Sequence, residues 1–192
     1  MMLLTLALFA QSADLPGDTA EAARLCAAAS LNARSAPIER SSQTGYFTLL
    51  ASREARGAKP MLEQIPVEAA AILARMGSVV PTTLDACRKR FPLAWAPRVT
   101  LPADPFDRKL GCIMASGFLV GLLEPIGDAE LTRRYTAVND RFGTLLADSE
   151  FAKRGLTTSD QFTALGNEWL ARLVDLGNPL AIVTTCEAAF PA

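Results

Sequence analysis

"DRKLGCIMASGFLVGLLEPIGD", residues 107–128, carries a cysteine near its start and then no charge until Glu124. From Leu110 to Leu123 nearly every side chain is apolar or small. A surface helix would show one apolar stripe, and a half-buried strand would alternate; this run does neither. The apolar run is also well short of the ~20 residues that a membrane span requires. A helix greasy on all sides is normally enclosed by other helices. Gly111, Ala115, Gly117 and Gly121 give it a small-residue surface on which neighbours can approach closely. Gly117 and Gly121 also match a spacing used by paired membrane helices, but the length favours a core helix. Its start is well marked: Asp104 can cap, Pro105 takes the first helical position, and Asp107 lies three residues after the cap.

The flanking sequence reads as helices of the ordinary amphipathic kind. Asp18 and Glu21 form a capping pair, after which Ala22, Leu25, Cys26, Ala29 and Ala33 share a face, up to Pro37. Ser42 to Arg56 reads as a second helix ending at Gly57. A third is expected to open at Pro66, with Val67, Ala70, Leu73 and Met76 pointing inward. Thr82 and Asp85 start a short fourth, with Leu84, Cys87 and Phe91 on one side. Pro92, Pro97, Pro102 and Pro105 then predict an extended connector over 92–105, with Trp95 tucked inward, because proline removes donors and disfavours helix before it. Beyond Gly127, Leu131, Tyr135, Val138, Phe142 and Leu145 give a strong helical stripe. A short turn follows at Ser149–Arg154. Thr158 and Gln161 form a second capping box ahead of Phe162, Leu165, Trp169, Leu173 and Leu176. After Gly177, Ile182, Cys186 and Ala189 line a last helix. The expectation is an all-α, irregular bundle of about seven to nine helices around a buried central helix at 107–124. Residues 14–192 read as a single domain.

The chain of 192 residues has 19 basic and 20 acidic side chains, a net charge of −1. That balance gives no overall field to attract nucleic acid. "MMLLTLALFAQSA", residues 1–13, is a short apolar run followed by small residues, as in a secretory signal, although no Lys or Arg precedes it. The competing possibilities are a buried first helix or an uncleaved anchor. No span is expected in the mature chain. Four cysteines, Cys26, Cys87, Cys112 and Cys186, are an even count, which suits paired disulfides in an exported protein. Buried free thiols are the alternative. Three pairings are possible. Cys26–Cys87 and Cys112–Cys186 are favoured, because Cys112 begins its helix and Cys186 ends its own, so antiparallel packing joins them. No metal or cofactor is expected from widely spaced cysteines in a chain without histidine.

The same lack of histidine removes Ser-His-Asp and Cys-His catalysis. Carboxylate chemistry remains, with Glu124, Glu130, Glu150, Glu168 and Asp175 as candidates, and a cell-wall glycan hydrolase as the alternative function. The most distinctive polar feature is Arg88-Lys89-Arg90 with Trp95 and Arg98 nearby. These residues could form a docking patch for an acidic partner, or serve only to offset a helix dipole. The expected role is non-enzymatic: a periplasmic or secreted binding, chaperone-like or inhibitor module whose partner is a protein or another envelope component.

Overall fold

A computed structural model describes residues 14–191, so the expected signal segment at 1–13 lies outside the described residues. Nine α-helices and no strand occur among them. In chain order α1 is Thr19–Leu31, α2 Pro37–Ala55 and α3 Met61–Leu73; α4, Thr83–Arg90, is followed by a 3₁₀ turn at Pro92–Trp95. The second half holds α5 at Pro105–Leu123, α6 at Ala129–Gly143, the short α7 at Asp148–Ala152, α8 at Ser159–Leu176 and α9 at Pro179–Ala189. The fold is therefore the all-helical, disulfide-stapled bundle that the apolar run at 110–123 implied.

Local chemistry explains most of the boundaries. The side chains of Asp18, Asp104 and Asp128 accept hydrogen bonds from the first-turn backbone N–H groups of α1, α5 and α6. Thr158 and Gln161 form the reciprocal capping box at the start of α8. Glu21 does not reach back in that way; its carboxylate instead takes Arg24 at 3.1 Å and Arg75 at 2.6 Å. Pro37 corrects another expectation. It opens α2 rather than closing α1, because at the first helical position a missing N–H costs nothing.

Packing begins with α1, whose alanines Ala22, Ala23, Ala27 and Ala28 are fully buried and let α2 lie close. α5 sits between α6, α9, α8 and α2, burying Leu110, Cys112, Ala115, Leu119 and Leu123. Its enclosure is incomplete: Gly117 and Gly121 are exposed, and Ile113, Met114, Phe118 and Leu122 are only partly covered. The helix also begins five residues before the apolar run does. By length and composition Pro105–Ile126 is thus long enough to cross a membrane, a test that the core helix of a soluble protein also passes.

Two disulfides close the bundle. Cys26–Cys87 joins α1 to α4, and Cys112–Cys186 joins α5 to α9. This is the favoured pairing, and all four residues are fully buried. Trp95 does turn inward, with its ring 5.5 Å from Phe47.

The third helix departs furthest from expectation. It starts at Met61, so Pro66 lies inside it. Its buried residues are Met61, Gln64, Glu68 and Ile72, whereas Val67, Ala70, Leu73 and Met76 face outward. The reason is a buried ion pair. Arg24 of α1 grips Glu68 in bidentate fashion, Nε to Oε2 at 2.6 Å and Nη2 to Oε1 at 2.9 Å. Gln64 donates to Glu68 Oε1 at 2.9 Å. Hydrogen bonding and charge pairing offset the cost of burying the carboxylate, and α3 turns its polar side inward.

The corner between α8 and α9 supplies a direct test of local strain. Gly177 has φ +137°, and a Cβ there would lie 2.8 Å from Val99 Cγ1. Next to it, Asn178 Oδ1 accepts from Ser42 Oγ at 2.8 Å and from Ala181 N at 2.9 Å, and its Nδ2 donates to Ala96 O at 3.1 Å. This network leaves the corner little freedom to relax. Gly177→Ala is expected to cost about 2 kcal/mol, read as a lower urea midpoint at unchanged slope.

Candidate functional site

Among the described residues nothing covers an apolar face made by α3 and the open side of α5. Along α3 and the turn beyond it, Leu62, Pro66, Ala69, Leu73, Met76 and Val80 are all exposed. They are spaced by alternating steps of four and three, the interval that keeps helical side chains on one side. Leu62 is 54 % and Leu73 61 % exposed, values unusual for large aliphatic side chains clustered together.

Beside this stripe runs a furrow of about 570 Å³. Leu62 and Ile65 of α3 line it with Phe118 and Leu122 of α5, and Asn139 of α6 is the one polar side chain among the described residues there. Asn139 Oδ1 is held by the Ser116 hydroxyl at 2.9 Å. Space lies open over the glycines: a Cβ on Gly121 would meet nothing within 4 Å, and one on Gly117 only Asn139 Oδ1 at 3.4 Å. The lining residues include no titratable side chain, so among the described residues the furrow offers no group for proton transfer.

The basic cluster is divided among several tasks. Arg90 donates to the backbone carbonyls of Pro16, and of Gly17 at 2.9 Å, which fastens the chain ahead of α1. Arg88 pairs with Asp85 at 3.4 Å and lies 5.9 Å from the Trp95 ring centroid. Lys89 and Arg98 are exposed. Arg88, Lys89 and Arg90 fall in the last turn of α4, where they also offset the helix dipole; Arg98 lies outside that helix.

The candidate carboxylates do not gather. Glu150 pairs with Lys109 at 3.0 Å, Asp175 with Arg53 at 2.7 Å and Glu168 with Arg172 at 3.8 Å. Glu124 and Glu130 are exposed at opposite ends of the Gly127 turn. Among the described residues the carboxylates with shifted titration are all shifted downward. Arg75 lowers Glu21, Arg24 lowers Glu68, Lys109 lowers Glu150, and the Asp107 N–H lowers Asp104. A general acid needs the opposite shift. Burial raises the phenols of Tyr46 and Tyr135.

Sequence inspection missed the face itself. The inward stripe expected of α3, Val67, Ala70, Leu73 and Met76, shares only Leu73 and Met76 with this face, and nothing local announces that Arg24 draws Glu68 to the inside. No protein-family model, curated protein or solved structure matches this chain.

Proposed function

We propose that the protein is an exported, non-enzymatic binding module of the cell envelope, chaperone-like or inhibitory in type, working through the apolar face of α3 and α5. The observation that carries this reading is the exposure of Leu62 and Leu73 beside an uncharged furrow. A surface of that kind is a recognised mark of a protein contact site. Two intramolecular disulfides accord with an oxidising compartment.

The test is capture from the native envelope fraction with tagged protein, in parallel with Leu62→Glu and Leu73→Glu variants. The expected result is a partner retained by the parent and lost from both variants, with the exported form beginning after residue 13. Equal capture by all three proteins would show that this face is not the working surface. An unprocessed chain in the reducing interior of the cell would refute export.

A further inference from the structure

Resting on the reading of this face as a contact surface, we propose that a second copy of the chain covers it. The two α3 helices pack antiparallel about a twofold axis that passes between Pro66 and Ala69.

Leu62, Pro66, Ala69 and Leu73 recur at steps of four, three and four along the outward side of α3. That is the spacing of a helix–helix seam. Its order is large, compact, compact, large, so it has the same profile in either direction. An isologous contact requires such self-complementarity, because one patch must fit itself after rotation. In the antiparallel arrangement Leu62 faces Leu73 of the second copy, and Pro66 faces Ala69. The compact pair at the crossing allows the axes to approach closely, and the leucines close the ends.

Charge is compatible with this occupant, since among the described residues the seam and the furrow beside it contain no charged side chain. Two copies therefore bring no like charges face to face. A helix of 13 residues gives a contact about 20 Å long. The furrow beside the seam adds further apolar surface on the same side. The stripe has no route inward, because Arg24 and Gln64 hold the opposite side of α3 against the core through Glu68. An envelope partner then competes with the second copy for the same face.

Sedimentation of the purified, oxidised chain over roughly 1–100 μM, the range of a modest interface, tests the proposal. The expected result is a monomer–dimer equilibrium. Leu62→Glu and Leu73→Glu should each weaken it at least tenfold while helicity and both disulfides persist, because each site is more than half exposed. Phe162→Glu, at an exposed position on α8 outside the stripe, should leave it unchanged. The double variant Leu62→Glu/Leu73→Lys should recover association, since each glutamate then meets a lysine of the second copy. A monomer at the highest concentration, or a dimer indifferent to both single changes, overturns the proposal. Loss in the single variants without recovery in the double variant overturns the antiparallel register. Envelope capture without self-association would leave the functional reading standing and sink this one; self-association without capture would do the reverse.

Discussion

Replacing Glu68 with alanine is expected to destabilise the protein by about 2–3 kcal/mol, because it removes both hydrogen bonds that tie α3 to Arg24 and leaves that guanidinium with Glu21 alone, at 3.1 Å. Glu68 is 1 % exposed and makes two hydrogen bonds to Arg24 and one to Gln64. Arg24→Leu is the harsher single change, because it leaves the 1 % exposed Glu68 carboxylate with Gln64 alone, whereas removing both partners leaves no such charge inside. Urea unfolding of Glu68→Ala, Arg24→Leu and the double variant Arg24→Leu/Glu68→Leu separates these cases. The double variant should recover most of the loss. If Glu68→Ala costs under about 1 kcal/mol, in the range of a surface pair, then Glu68 is not what orients α3.

The same pair predicts an acid transition. Arg24 holds the Glu68 carboxyl below its ordinary range in the folded state. A carboxyl with a depressed folded pKa binds fewer protons when folded than when unfolded. Its stabilisation is therefore complete above the unfolded value, about 4.3, and disappears as pH falls through the folded one. Glu21, lowered chiefly by Arg75, acts in the same direction. Stability should be nearly flat from neutrality to about pH 5 and then decline, with a smaller decline in the Arg24→Leu/Glu68→Leu variant.

Breaking either disulfide is the second large effect. The bridges close separations of 61 and 74 residues, and constraining loops of that length removes about 4 kcal/mol of unfolded-chain entropy each. A bundle whose whole stability lies in the common range of about 5–15 kcal/mol does not readily lose both. Paired Cys→Ser replacements should each lower the urea midpoint substantially, and the doubly reduced chain should be largely unfolded at 37 °C. The Cys26–Cys87 loss should loosen α4 in particular, since that bridge ties the short helix to α1, as hydrogen exchange along 83–90 would register. A reduced protein as stable as the oxidised one would mean that the helices need no covalent ties.

Much of this architecture is determined locally. The capped, unbroken apolar run from Leu110 to Leu123 favours a helix packed among others, and the stripe from Leu131 to Phe142 buries one side. The opposed ends of Cys112 and Cys186 in their helices made their bridge foreseeable. Capping, periodicity and chain direction act over a few residues, so the sequence by itself determines them. The facing of α3 was decided only by tertiary structure. Both sides of Met61–Leu73 satisfy helical periodicity, and the choice between them depends on Arg24, 44 positions before Glu68. The observed facing buries Met61 and Ile72 and gives Glu68 its bonds to Arg24 and Gln64, while Leu62 and Leu73 stay in water. The apolar face is the consequence, and only the assembled bundle reveals it.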